Sequence, residues 1–456
     1  MTSGGRNVKQ TKAAAPDVGA GVRADTVSGS AGVGGGGVGG GHRLLKIMSL
    51  AVGLTLAAIG LIVYLFGIAH FWYGLHDISD TGIYVDFAAR MAHGLRPYVD
   101  FPVEYPPLAI PLFVIPGHSG NVVAYSDWFN VEMFVMCAAA AAATAAAAAR
   151  LWTTGRKPYL VGVAFAVCVL ATGAIIGNRY DAAVALLLAV VMLLLSYEMW
   201  TNAAFVLGLG FALKLTPAIL LPLVFVLAVR RRTIIWGLIY FVLAAVLPFV
   251  PFLIHGFKGL EYPFTYQLDR PLQVESVLAA PLLLGHIVGH VWVEIGTAYG
   301  SQFISATGAV TLARISGFLE LVALAVTYCL IWRRRATLRA TPRLVPLAVL
   351  ALILAFMTFG KVLSPQYFIW ILPAIALVLP ERRALGLLLI GAVVLTQLEF
   401  PANYWSFIYL NSGAVLLVVE RDAVLCLAFA FSLWHLWRLP DIAPNTQNES
   451  PGRLGP

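Results

Sequence analysis

Between Ile47 and Ala69 the chain passes twenty-three residues without a charge. As a helix rising 1.5 Å per residue, that run covers roughly 35 Å, enough to cross the hydrocarbon core of a bilayer. Apolar runs recur to the end of the chain: Trp128 to Ala149, Tyr159 to Ile176, Ala182 to Tyr197, Ala203 to Leu213, Pro217 to Val229, Thr233 to Ile254, Val310 to Trp332, Leu344 to Phe359, Ile369 to Leu379, Ala384 to Leu398 and Ala423 to Trp437. With 60% hydrophobic and only 11% charged residues, lipid has to be the solvent, and backbone groups facing lipid must be satisfied within helices or a closed barrel. The run lengths select helices and predict an all-α, polytopic membrane helical bundle of about twelve spans. Leu108 to Pro116 and Val277 to Val288 are too short to cross and read as interfacial or re-entrant pieces.

Basic residues orient the bundle. Arg43 with Lys46, Arg150 with Arg156 and Lys157, Arg230 to Arg232, Arg333 to Arg335, and Arg382 with Arg383 alternate with the runs as cytoplasmic loops do. The net charge of +8 therefore expresses topology and implies no nucleic acid partner. The expected arrangement is a multi-pass plasma-membrane protein with both termini cytoplasmic. Its membrane domain spans 42–438, between a Gly-, Ala- and Ser-rich disordered tail (1–41) and a second disordered tail (439–456). The start lacks the charged, apolar and cleavage regions of a signal peptide, so the first run is expected to remain as an anchor. Cys137, Cys168, Cys329 and Cys426 lie in or beside apolar runs without metal-ligand spacing and read as small core side chains.

One segment on the outer side breaks the pattern. His76 to Pro107, within an outer loop placed at 72–107, holds Asp77, Asp80, Asp86, Asp100 and Glu104 together with Tyr84, Tyr98 and Tyr105. The spacing of Asp77, Asp80 and Tyr84 puts them on one face of a helix that ends at Gly94. The Pro- and Tyr-rich stretch beyond it reads as an extended loop. The same topology brings Asn178-Arg179-Tyr180-Asp181, Lys214, Thr265 to Ser276 with Arg270 and Glu275, and Gly360 to Tyr367 with Lys361 and Gln366 to the outer face. Converging ionisable groups at a membrane surface mark a site, with plainer roles open for each. Asp77 also reads as a helix N-cap, Asp86 and Asp100 with Arg90 as a solvated face, and Arg179 with Asp181 as a turn ion pair.

Outside the membrane no pool of nucleotide sugars exists, so a glycosyl donor must arrive as a lipid phosphate. Such chemistry needs a carboxylate as base for the acceptor hydroxyl, cations for the departing phosphate, aromatic faces for the sugar and a groove for the lipid. Asp80-x-x-x-Tyr84, Gly94-Leu95-Arg96-Pro97-Tyr98-Val99-Asp100-Phe101 and Glu104-Tyr105-Pro106-Pro107 resemble the first outer loop of family 87 glycosyltransferases. Asn178 to Asp181, Lys214-Leu215-Thr216-Pro217, Arg270-Pro271-Leu272-Gln273-x-Glu275-Ser276 and Gly360 to Tyr367 extend the likeness over the chain after the tail. The resemblance implies a C-fold enzyme taking a polyprenyl-phosphate sugar donor, commonly of mannose, to a lipid or glycan acceptor in the cell envelope, with inversion.

Carried over residue by residue, Asp80 matches the family's loop aspartate, the base, and Asp77 is a second acid outside the pattern. Tyr84, Glu104, Tyr105, Arg179, Lys214, Arg270, Glu275, Lys361 and Gln366 are the expected substrate-binding residues. The sequence implies no cofactor and no metal. His255, His286 and His290 are candidates to assist a phosphate site. Two other classes stand beside this one: a transporter, which would place ionisable groups at mid-membrane on related halves, and a non-catalytic lipid-binding or assembly subunit.

Overall fold

A computed structural model describes residues 36–117, 121–254 and 259–441. The chain divides into two units, Met1–His42 and Arg43–Pro456, and everything below concerns the second. Apart from Gly36 to Gly41 and Leu439 to Asp441, both expected tails fall outside the described residues, as does His255. The first helix is already formed at Gly36 and runs to Ile62, six residues inside the expected tail. Nothing in the structure explains a helix over those glycines.

The second unit is a helical membrane bundle. Five helices are long and apolar enough to cross a bilayer: Gly40–Ile68, Val122–Leu151, Arg231–Leu253, Ala309–Arg333 and Pro342–Phe359. They make this a multi-pass membrane protein. Shorter apolar helices, among them Lys157–Thr172, Asp181–Ser196 and Tyr367–Val378, fill in between them. Burial follows composition. Every residue of Tyr367–Val378 is buried, as are most of Val345–Phe359, which are apolar around the whole helix and so belong at the centre. Arg231–Val246 instead exposes Ile235, Leu238, Ile239, Val242 and Leu243, the surface that lipid would cover. It is drawn tight to Trp200–Lys214 at Gly208, where an added Cβ would stand 2.3 Å from the Phe241 carbonyl oxygen.

The helical architecture expected from the sequence is what the chain adopts, with one addition and two corrections. The segment after the short helix Ala280–Ile287 holds an antiparallel hairpin of Val293–Ala298 with Ser301–Ala306, in register Val293↔Ala306 to Ala298↔Ser301. It is a small β element in an otherwise helical fold. Its turn places Tyr299 and Gly300 at φ of 52° and 62°, the left-handed pair that a two-residue turn between twisted strands requires.

Asp77, Asp80 and Tyr84 do not share a helix, which spans Thr81–Ala92. Ile78 has φ 49°, and Asp77 Oδ2 accepts the Gly74 N–H at 2.7 Å, closing a separate turn. Asp80 occupies the N-cap position without a side-chain cap bond, and Ser79 Oγ accepts the Thr81 N–H at 3.1 Å. The expected end holds: Leu95 N–H bonds the Arg90 carbonyl, Gly94 N–H bonds Met91, and Gly94 has φ 84°, a Schellman closure.

The last helix begins at Ser412, not near Ala423, and continues through Glu420-Arg421-Asp422 to Trp437. The expected run started just after those charges. Arg421 is wholly buried beside Glu399 and Asp422.

Candidate functional site

One cavity of about 530 Å³ collects segments from most of the chain. Of the eleven sequence-selected residues, Asp80, Glu104, Tyr105, Arg179, Lys214, Arg270, Glu275, Lys361 and Gln366 line it. Asp77 stays in its turn outside it. Tyr84 is buried behind the wall, stacked on Phe113 with ring centroids 4.3 Å apart. His286 and His290 are not among the lining residues, and His286 Nδ1 lies 3.3 Å from the Val291 carbonyl oxygen within its own segment.

Asp80 enters the cavity from the N-cap of Thr81–Ala92. Arg179 Nε lies 2.9 Å from its Oδ2, an ion-pair contact whose angle is off that of a hydrogen bond, and Tyr84 donates to the same oxygen at 3.5 Å. Both contacts fall on Oδ2, and Asp80 lines the cavity. Arg179 is itself fixed. Its Nη2 donates to the Ile78 carbonyl at 2.8 Å and its Nη1 to the Asn178 carbonyl at 3.0 Å, and its guanidinium sits 5.6 Å from the Phe400 ring centre. The expected Arg179–Asp181 turn pair is absent among the described ion pairs, because each residue turns to another partner.

Asp181 is paired with Lys214, whose Nζ donates to Oδ1 at 2.6 Å. Trp370 Nε1 donates to that oxygen at 2.5 Å. Lys214 Nζ also stands 4.4 Å from the Tyr180 ring, 5.2 Å from Trp370 and 5.6 Å from Tyr367, an aromatic surround that favours a cation. Glu104 and Tyr105 come from the Pro-rich stretch, held by Tyr98 donating to the Tyr105 carbonyl at 2.6 Å. Burial raises the Glu104 carboxyl above its ordinary range, and nearby Asp80 adds to the shift.

Arg270 and Lys361 differ from the other two cavity cations. Among the described residues neither has a carboxylate within ion-pair distance. Arg270 Nη2 donates to Ser301 Oγ at 2.8 Å, and its buried Nε has no partner. Lys361 Nζ donates to the Leu268 carbonyl at 2.5 Å. Burial and then the charge of Arg270 lower the Lys361 ammonium below its ordinary value. The two loops are joined, since Gln273 N–H bonds the Lys361 carbonyl at 3.0 Å. Strand Ser301–Ala306 pairs with the same wall through Val274 N–H to Gln302 and Ile304 N–H to Leu272.

Sequence reasoning missed the hairpin's Ser301 and Gln302, Tyr266, Tyr404 and Glu320, all of which line the cavity. Glu320 carried a signal, being a lone acid within the apolar run Val310 to Trp332. The residues present can hold an anion at Arg270 and Lys361, offer a carboxylate oxygen at Asp80, and cover a sugar with Tyr105, Tyr266 and Tyr404.

No protein-family model and no curated protein sequence matches the chain. Among solved structures, ArnT from Cupriavidus metallidurans bound to undecaprenyl phosphate is similar over 86% of this chain and 76% of that one, at 13% sequence identity and a TM-score of 0.46.

Proposed function

We propose that this multi-pass membrane protein is a C-fold glycosyltransferase of the family 87 type. It would move a sugar, mannose or another hexose, from a polyprenyl-phosphate donor to a lipid or glycan acceptor at the outer leaflet of the plasma membrane. Both termini would lie in the cytoplasm. The observation that carries this reading is one cavity lined by the carboxylate Asp80 and by two half-buried cations, Arg270 and Lys361, that have no carboxylate within ion-pair distance among the described residues. A partly desolvated cation without a close counter-charge favours an arriving phosphate.

In this mechanism the Asp80 carboxylate takes the proton of the acceptor hydroxyl as its oxygen attacks the anomeric carbon. The bond from that carbon to the phosphate oxygen breaks, its electron pair leaves with the phosphate, and the configuration inverts. Arg270 and Lys361 stabilise the charge on the departing phosphate. Arg179 orients Asp80, and Lys214 contributes a further cation steadied by Asp181. Glu104, shifted toward its neutral form, is suited to hydrogen-bond sugar hydroxyls. Asp77, outside the cavity, has no catalytic part.

Incubating the purified protein in lipid nanodiscs with a panel of labelled polyprenyl-phosphate sugars and an envelope-lipid extract tests the proposal. Transfer of label to an acceptor, with release of polyprenyl phosphate, is the expected result. Donor binding without transfer to any acceptor would support the non-catalytic alternative instead.

A further inference from the structure

The cavity wall Arg270 to Ser276 rests on a buried cluster that the proposed chemistry does not use. Arg421 is 0% exposed, and around it stand Glu399 at 0%, Asp422 at 2% and Glu275 at 2%. Its Nη1 donates to Glu399 Oε2 at 3.2 Å, its Nη2 to Asp422 Oδ1 at 2.8 Å, and the same Nη2 to the Glu275 backbone carbonyl at 2.5 Å. The Glu275 side chain therefore receives no hydrogen bond from the guanidinium. Its Oε2 accepts from Gln273 Nε2 at 2.5 Å. Among the described residues Oε1 of Glu275 and Oε1 of Glu399 are both buried with no donor, and the two carboxyls act on each other.

Fully ionised, the cluster would hold three carboxylates against one guanidinium, each at most 2% exposed. Two carboxylates in contact cannot both keep their charge there, whereas one proton between them makes a hydrogen bond and removes a charge. We infer that Glu275 and Glu399 share one proton, and that Glu399 and Arg421 are through it positioning residues for the wall that carries Arg270 and Gln273. The groups facing the pair on every packed element agree with this. Arg421 and Asp422 come from the last helix, Tyr404 from the short helix before it, and Gln273 from the wall. The one cation among them is already shared between Glu399 and Asp422. Glu275 lines the cavity, so the proton has a route to water there. When it leaves, the two carboxylates repel and the wall comes off the last helix.

The pH dependence has a definite sign. Burial raises the Glu275 carboxyl above its ordinary range. The folded protein thus binds more protons than the unfolded chain at pH values above the unfolded carboxyl range. The stability this adds is complete below the unfolded value and is lost as the pH rises through the folded one.

The test is the unfolding midpoint of the full chain in lipid nanodiscs across about pH 5 to 9, for wild type, Glu399→Gln, Glu275→Gln and Glu399→Ala. An amide keeps the shared hydrogen bond at every pH. The wild-type midpoint should fall as the pH rises, both amide variants should stay level near the acidic wild-type value, and Glu399→Ala should be low throughout. A decline in both amide variants as steep as in wild type overturns the inference, and so does failure of both to fold. Donor binding is measured alongside, because its part of the inference rests on the phosphate role of Arg270. Wild type should lose affinity for polyprenyl-phosphate sugar at alkaline pH while Glu399→Gln retains it. Level midpoints with no donor binding in any variant would keep the shared proton and reject the phosphate role.

Discussion

Replacing Asp80 by Asn separates an enzyme from a binding protein, and the structure sets the size of the effect. The amide keeps the shape of the side chain and removes its charge. What Arg179 loses is one contact at 2.9 Å with an angle off that of a hydrogen bond, to a carboxylate one-quarter exposed. It retains its bonds to the Ile78 and Asn178 carbonyls and its place over Phe400. Solvent screening on the acid side puts the stability cost at about 1 kcal/mol, so the protein should fold and bind donor. The turnover is another matter. A general base contributes about 10² to 10⁴ in rate, and an Asn oxygen cannot take up a proton at neutral pH. Transfer should therefore fall by at least about 100-fold while donor affinity changes little. Asp77→Asn is the control: its carboxylate serves one exposed Gly74 N–H, and its loss should leave transfer near wild type. Sugar transfer, donor binding and unfolding midpoints, all in nanodiscs, give the comparison. Near-normal transfer by Asp80→Asn would refute the base, and collapse in Asp77→Asn with normal Asp80→Asn would relocate it.

Arg270→Ala and Lys361→Ala should each weaken donor affinity about 10- to 150-fold, since a charge-assisted hydrogen bond is worth about 1.5 to 3 kcal/mol; unchanged donor titrations would leave these cations a loop-holding role. Arg421→Met strands Glu399 and Asp422 without a counter-charge in a site with no exposure and should cost about 3 to 5 kcal/mol, read as a lost or sharply lowered unfolding transition. In a cysteine-free background, Val99→Cys should react with an impermeant thiol reagent added from outside and Arg333→Cys should not; the reverse pattern would put the cavity on the cytoplasmic side and remove the reason for a lipid-linked donor.

Much of this arrangement was legible because the bilayer forces composition to follow position. Apolar runs gave most of the helices to within a few residues, and the acids clustered in one loop pointed to Asp80, Glu104 and the segments that meet them. Where local backbone geometry decides, the sequence says less. Nothing in Asp77-Ile78-Ser79-Asp80 announces the left-handed Ile78 that takes Asp77 away from the cavity. The hairpin was hidden because its strands, VEIGTA and SQFISA, mix small, polar and apolar residues and are too short and too partly buried to alternate clearly. The last helix was misjudged for a different reason. A charged triplet in an apolar run is a break if each charge is counted alone and a core if its partners are known, and Glu399 and Glu275 lie 22 and 146 residues away from Arg421.

That burial bears on how the protein enters the membrane. Every stretch of Ser412–Trp437 long enough to span contains Glu420, Arg421 and Asp422, and an arginine or aspartate at the middle of a lone helix opposes insertion by roughly 2.5 to 3.5 kcal/mol each. Glu399 ends the preceding long helix, Arg383–Glu399, and those two helices pack on one another. Packed as a pair, they set Glu399 against Arg421. The helix Ser412–Trp437 is thus a poor membrane span by itself and a better one as half of a hairpin with Arg383–Glu399, the same pairing that backs the cavity wall at Glu275.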